Sequence, residues 1–418
     1  MSSETIDSTM NQDATTALVP KLRFPEFRGE EGWKEKPLKA AAEINPANGG
    51  LPESFVYIDL ESVDAGELKA KGRISLVGAP SRAQRLVERG DIIYQVVRPY
   101  QRNNLLCEFD HDENYVASTG YAQLRANGNN RFLYQSIHTD SFVGRVIAKC
   151  TGSNYPAINS SDLAEIHLPI PPTLPEQQKI ADCLSSLDEL IAAQARKVEA
   201  LKTHKKALMQ QLFPREGETQ PRLRFPEFQD AGDWKPQRLS GQIVLISGMH
   251  LSPNDYSTAG EVPYFTGPSD FANDLSKVTK WTKRTANVSQ AGDTLITVKG
   301  SGVGEIWYSA LPEVAMGRQL MAVRSKNGSS HFMFQFLLTK RSRFEDLGSG
   351  NLIPGLSRAD ILELDACFPK PVEQQRIATC LSSLDALITA EIQKLEAFKT
   401  HKKGLMQQLF PSAEEVET

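Results

Sequence analysis

The most regular alternation of hydrophobic and polar positions lies in two stretches of nearly identical sequence. In the first, Ile180, Leu184, Leu187, Ile191, Val198, Leu201, Leu208 and Leu212 fall at alternating intervals of four and three, with Gln194 and Lys205 the polar residues on the same line. In the second, Ile377, Leu381, Leu384, Ile388, Leu395, Phe398, Leu405 and Leu409 repeat the pattern, interrupted by Glu391 and Lys402. Eight apolar residues at ten seam positions, over five heptads, predict two long helices paired as a coiled coil. Pro171, Pro172 and Pro175 are expected to stop helical structure before the first, and Pro369 and Pro371 before the second; Pro214 and Pro411 end them. At ~1.5 Å per residue, roughly 38 residues make a helix about 57 Å long. Gln194 and Glu391 lie near the middles of their helices. If the helices pack antiparallel, these two should meet, a polar pair that costs stability but fixes register.

The two stretches are the best-preserved part of a larger duplication. Glu176 to Pro214 matches Glu373 to Pro411 with 29 identities in 39 ungapped positions. Upstream, Leu22-Arg23-Phe24-Pro25-Glu26-Phe27 returns as Leu223-Arg224-Phe225-Pro226-Glu227-Phe228, each followed shortly by a tryptophan, Trp33 or Trp234. The period is about 200 residues, a tandem repeat of one unit. Between the matched ends only a skeleton survives. Gly90-Asp91 answers Gly292-Asp293, Ser81-Arg82 answers Lys283-Arg284, and Gly152-Ser153-Asn154-Tyr155-Pro156 answers Gly350-Asn351-Leu352-Ile353-Pro354. Similar framing around divergent interiors implies one scaffold presenting two different recognition surfaces. Two copies of one catalytic site would repeat the interior instead.

The interiors read as mixed α+β. Ser54–Ile58, Ile92–Val97 and Thr294–Val298 are rich in β-branched and aromatic residues and are bounded by Gly, Pro and Asn, so they are expected to be strands. Helices are expected at 131–149 and 331–346. Trp33 and Trp234 are expected to be core anchors rather than platforms for stacked bases.

Composition narrows the class. Hydrophobic residues make up 40% and charged residues 23% of 418, a balance of globular domains, and no apolar run approaches the ~20 residues of a membrane helix. Residues 1–20 read as a polar tail with neither a secretory nor a basic transit pattern. The five cysteines are scattered with no CxxC pair, which speaks against a disulfide framework or a structural zinc and suits a reducing cytoplasm. The net charge of −4 conceals its distribution: the two termini contribute −3 each. Residues 71–102 carry seven Lys/Arg against two carboxylates, and residues 277–343 carry eleven against three, local charges of +5 and +8. Two basic stretches suit two footprints on a polyanion, or two solvated faces.

The catalytic inventory is sparse. There is no GxxxxGK[ST] phosphate loop, and no Asn-Pro-Pro-aromatic or Asp-Pro-Pro-aromatic segment of an amino-methyltransferase. Gly300-Ser301-Gly302-Val303-Gly304 is similar to a nucleotide-binding glycine turn, but strand-like Glu305-Ile306-Trp307-Tyr308 follows it, so a hairpin loop is expected. No catalytic residue and no metal ligand is assigned.

Each long helix opens on a distinctive motif, Pro172-Thr173-Leu174-Pro175-Glu176-Gln177-Gln178-Lys179-Ile180-Ala181 and Pro371-Val372-Glu373-Gln374-Gln375-Arg376-Ile377-Ala378. Two variable domains, each followed by such a helix, resemble the specificity (S) subunit of type I restriction–modification enzymes. The resemblance implies an α+β fold of two target-recognition domains related by an internal pseudo-twofold repeat and separated by two long antiparallel coiled-coil helices. The implied boundaries are a polar tail at 1–20, recognition domains at 21–172 and 215–370, helices at 173–214 and 371–411, and an acidic tail at 412–418. It further implies a cytoplasmic, non-catalytic subunit that binds double-stranded DNA at a split target, one half per domain. Such a subunit recruits two methyltransferase (M) subunits and, in the full complex, restriction (R) subunits. S-adenosylmethionine, ATP and Mg²⁺ would then be used by those partners, with no cofactor bound by this chain. The rival reading is a tandem coiled-coil adaptor of a protein complex with no role on DNA.

Candidate DNA contacts follow each Gly-Asp strand and populate the basic stretches. In the first half they are Arg82, Arg85, Arg98, Tyr100, Gln101, Arg102, Asn103 and Asn104; in the second, Lys280, Lys283, Arg284, Lys299, Ser301 and Arg318. Arg suits guanine, and Gln or Asn suits adenine, in the major groove. Lys299, and the equivalent Arg82 and Arg284, suit phosphates.

Overall fold

In the computed structural model the two heptad stretches are helices of 39 residues each, Leu174–Leu212 and Pro371–Leu409. The structure describes residues 18–411 apart from 65, 70–71, 110–112, 153, 284–286 and 350–354. Arg284, residues 1–17, the acidic tail 412–418, Ser153 of the first Gly-x-x-x-Pro segment and the whole of the second lie outside the described residues. Pro175 and Pro371 do not precede the helices, as the sequence suggested, but sit in their first turns. A helix leaves its first four N–H groups without intrahelical partners, so a proline there removes no hydrogen bond and its φ already suits the helix.

The chain divides into two units, Met1–Ala193 with Leu395–Thr418, and Gln194–Lys394. The division runs through the middle of both long helices, so each unit owns the start of one and the end of the other. In the first unit Ile180, Ala181 and Leu184 pack with Leu409 and Phe410 around Trp33 and Phe132. In the second, Leu212 and Phe213 pack with Ile377, Ala378 and Leu381 around Trp234 and Phe332. The start of one helix against the end of the other is antiparallel pairing. Of the seam residues, Ile180, Leu184, Gln194, Ile377, Leu381 and Ile388 are buried, while Leu187, Ile191, Leu384 and Glu391 are half-buried.

Each unit carries two larger sheets and a two-stranded pair, and the first adds a short hairpin, Val63–Asp64 with Glu67–Leu68. In the first, strands Arg73–Ser75, Ser54–Ile58, Tyr115–Ser118 and Ala83–Val87 form one sheet, in that order. Ala42–Ile44, Tyr121–Ala126, Ile92–Gln95 and Leu105–Leu106 form a second, and Lys34–Pro37 pairs with His167–Ile170. In the second unit the corresponding sheets are Tyr256–Ser257, Trp281–Thr282, Val262–Phe265, Glu313–Met316, Val288–Gln290, and Ile243–Ser247, Leu320–Ser325, Thr294–Thr297, Ile306–Tyr308. One pair in each unit is parallel, Ser54–Ile58 with Tyr115–Ser118 and Val262–Phe265 with Glu313–Met316.

Three expectations shift. The strand expected at 92–97 ends at Gln95; beyond it Val96 N still donates to the Gly120 carbonyl, while the Val96 carbonyl accepts from Ile158 N at 3.0 Å. The helix expected at 131–149 is two, Asn130–Ser136 and Asp140–Lys149; the Thr139 side chain accepts from Phe142 N and so starts a new helix. Likewise 331–346 is split into Ser330–Thr339 and Arg341–Ser349. The Gly300–Gly304 segment links antiparallel strands Thr294–Thr297 and Ile306–Tyr308, a hairpin.

Candidate nucleic-acid interface

The loops that could meet DNA are held by a framework repeated in both units. Arg23 donates from Nε and Nη2 to both oxygens of Glu176 at 2.8 Å, and Trp33 Nε1 donates to the same carboxylate at 3.1 Å. Arg224 does the same to Glu373 at 2.7 Å, joined by Trp234 Nε1 at 3.2 Å. Both carboxylates are buried, so the bidentate geometry and the indole donor are what make burial tolerable. These glutamates come from the Glu-Gln-Gln motifs, and they fasten the opening of each domain to the start of a long helix.

A second repeated lock sits at the Gly-Asp turns. Gly90 and Gly292 have φ of 93° and 92°, where a side chain is disfavoured. The adjoining Asp91 and Asp293 are buried and accept bidentate bonds from Arg125, 2.9 Å on both arms, and Arg324, 2.9 and 2.7 Å. A third lock joins domain, helix and helix. Asp188 accepts from Gln135 Nε2 at 2.8 Å and from Lys402 Nζ at 2.6 Å; Asp385 accepts from Gln335 at 2.7 Å and from Lys205 at 2.6 Å. The two lysines that interrupt the apolar seam are therefore partners of these carboxylates. None of the three locks was read from the sequence, although Arg23, Trp33, Glu176, Gln135 and Asp188 all recur in the second copy.

Several candidate contacts are bonded within their own unit. Arg102 donates to Asp140 at 2.6 Å and to the His138 carbonyl at 3.0 Å. Asn104 is buried; its Oδ1 accepts from Gln95 N and its Nδ2 donates to His138 Nε2. His138 gives its Nδ1 proton to the Tyr134 carbonyl at 2.6 Å, and burial pushes its pKa down to about 4, so the ring is neutral. Lys280 is bound to Asp270 and Thr266. A DNA group reaching Arg102, Asn104 or Lys280 would have to share or displace these partners. The sequence could not reveal this, because the partners lie 9 to 38 residues away. Within the same stretch Arg324 and Arg341 pair with Asp293 and Glu305, and Arg343 pairs with Glu216 outside it.

The others remain at the surface or in engaged loops. Arg82, Lys283, Lys299, Ser301 and Arg318 are exposed. Tyr100 is 51% exposed, Gln101 accepts from Gln95 Nε2 at 2.9 Å, and Asn103 donates its backbone N–H to Gln95 Oε1. Arg85 is half-buried, its Nε has no hydrogen-bond partner among the described residues, and burial lowers its pKa. Arg98 is left-handed at φ 55° where the second unit has Gly300, and its guanidinium stacks on Tyr155, 4.3 Å from the ring centroid. In the second unit Lys299, Gly300 and Arg318 come together around a shallow cleft of about 680 Å³ with Gln319, Met321, Gly355, Leu356 and Ser357.

No group of three or more His, Cys, Asp or Glu arranged to hold a metal is present among the described residues, and none of the described helices is long and apolar enough to cross a membrane. The family model for the type I restriction modification DNA specificity domain matches residues 103–203 and 232–397. This chain belongs to that family. The putative type I restriction enzyme MjaX specificity subunit of Methanocaldococcus jannaschii is 28% identical over 273 residues, 63% of each chain. The type I restriction enzyme EcoDI specificity subunit of Escherichia coli is 25% identical over 164 residues, 39% of this chain and 34% of that protein. The chain thus spans under two thirds of the length of these relatives. Among solved structures, the type I restriction-modification S subunit from M. genitalium superposes with a TM-score of 0.62 at 18% identity, covering 94% of this chain and 100% of that one. A chain from a type I R-M system, solved for its complex assembly and conformational transition, gives 0.55 at 24%, covering 91% and 98%. Both likenesses are of fold.

Proposed function

We propose that this chain is the DNA sequence-recognition subunit of a type I restriction–modification complex. Domains 21–172 and 215–370 would each bind one half of a split double-stranded target. The long helices would scaffold two methyltransferase subunits and, in the full complex, restriction subunits. S-adenosylmethionine, ATP and Mg²⁺ chemistry belongs to those partners in this reading, and the chain itself is non-catalytic.

The observation that carries the proposal is the contrast between framework and loops. The Glu176/Glu373, Asp91/Asp293 and Asp188/Asp385 locks recur in both units, while the loops they position carry different groups, Arg98 on Tyr155 in one and Lys299 with Arg318 in the other. A common mount with two different surfaces suits two different half-sites. Arg82, exposed and without an ion pair among the described residues, would hold a phosphate, as would Lys299. The test is to express the chain with its co-encoded methyltransferase and map N6-methyladenine in host DNA. A split target is expected, with no methylation by the chain alone. Methyl transfer by the pure chain, or the absence of a preferred sequence, overturns the proposal.

A further inference from the structure

In the second unit, three segments are stitched together at the cleft. Val298 N donates to the Gln319 carbonyl at 2.7 Å, and Leu356 N donates to the Val298 carbonyl at 2.8 Å. Backbone pairing thereby fixes Lys299 and Gly300 beside Arg318 and Gln319. Leu356 and Met321 are buried lining residues, while Lys299 and Arg318 are exposed. Between them stands the half-buried side chain of Gln319.

The Gln319 amide is placed by absence of bulk around it. A Cβ on Gly267 would come 3.1 Å from its Oε1, and a Cβ on Gly300 would come 3.7 Å from Oε1 and 3.8 Å from Nε2. Two glycines thus leave room for the amide on either side. Half-buried, it makes no hydrogen bond to any described residue, whereas the fully buried Gln95, Gln123, Gln135 and Gln335 each donate at least one from Nε2. An amide with no partner among the described residues offers two donors and an acceptor to whatever enters the cleft. The edge that matches it is that of adenine, N6 donating and N7 accepting. A cation on the neighbouring residue and another on the facing loop can take the flanking phosphates.

We propose that Gln319 is a specificity-determining residue of the second domain, reading an adenine in its half of the target with Arg318 and Lys299 on adjacent phosphates. This rests on the DNA-recognition reading above. The first unit has no counterpart. Gly120 stands where Gln319 does, its carbonyl accepting from Val96 N at 3.0 Å, and the facing loop carries Arg98 stacked on Tyr155.

The experiment is selection of the full-length chain on a duplex library randomised at every position, at one fixed salt concentration, for the parent, Gln319→Ala and Gln319→Glu. Gln319→Ala should lose about ten- to hundredfold of its preference for adenine at one position of one half-target, with the other half and binding to random duplex unchanged. Gln319→Glu, close to isosteric, should move the preference at that same base pair towards cytosine, whose N4 donates to a carboxylate. Full retention of discrimination by both variants overturns the proposal, as does a loss spread evenly over all positions, which would make Gln319 a positioning residue. A parent chain with no preferred sequence overturns the DNA-recognition reading itself, and separates that failure from this one.

Discussion

At the scale of single residues, the side chains that matter most are buried and paired. Removing the Glu176 carboxylate leaves the Arg23 guanidinium and the Trp33 indole without their acceptor inside the first unit. Glu176→Ala should therefore cost about 3–5 kcal/mol in urea unfolding of that unit, and Glu373→Ala should do the same to the second. Trp33→Phe keeps the ring in the core and loses only one hydrogen bond, about 1 kcal/mol. His138 adds a pH dependence. Its pKa is about 4 in the folded chain, chiefly through burial, with the Lys402 and Arg102 cations also opposing protonation. The unfolded chain takes up a proton near pH 6.5 and the folded one only near 4, so the stabilisation is present above about 6.5 and lost as pH falls through that window. Replacing His138 by Gln should flatten the unfolding midpoint between those two pH values, read by thermal melts across the range.

At the scale of elements, the helix pair has two kinds of seam. Its ends are apolar, Ile180 and Leu184 against Leu409 in the first unit, and Leu212 against Ile377 and Leu381 in the second. Its middle is polar: Gln194 Nε2 donates to Glu391 Oε2 at 2.6 Å and to the Glu391 carbonyl at 2.9 Å, and Lys197 reaches the same carboxylate. The Lys197 ammonium and the Gln194 amide hold Glu391 below the usual carboxylate range. Its contribution is thus present at neutral pH and lost on acidification through that lowered pKa. Replacing Gln194 and Glu391 together by Leu removes both members of the pair. Stability should hold or rise, while the register of the helices loosens, measured as increased hydrogen exchange along residues 187–201 and 384–398. Replacing Gln194 alone by Leu should be worse than the double change, since it leaves a carboxylate facing an apolar neighbour.

At the scale of the whole molecule, the duplication predicts modular recognition. Each unit has its own sheets, its own core and its own lock on a long helix. Exchanging residues 22–170 for the matching segment of a relative should change one half of the methylated target and leave the other as it was, scored by mapping methylated adenines. A swap that altered both halves would mean that the units read DNA jointly.

The helix pair and the repeat were determined by the sequence alone, because a 3.5-residue period and a 200-residue self-match are local properties that need no partner to be seen. The hairpin at Gly300–Gly304 and the buried tryptophans were legible for the same reason. Turn glycines and the aromatic positions state their preference within a few residues. Tertiary structure decided which cations are available. Arg102 and Lys280 look like any other basic residue until Asp140 and Asp270 arrive from separate segments, and Arg324 until strand pairing brings it to Asp293. It also decided the parallel strand pairs, whose paired residues are 59 apart in the first unit and 51 in the second, where the sequence holds no short turn to announce them. Gln319 was illegible for the converse reason. Its significance lies in a partner it lacks and in two glycines that leave it room, and both depend on where the folded chain brings residues 267 and 300.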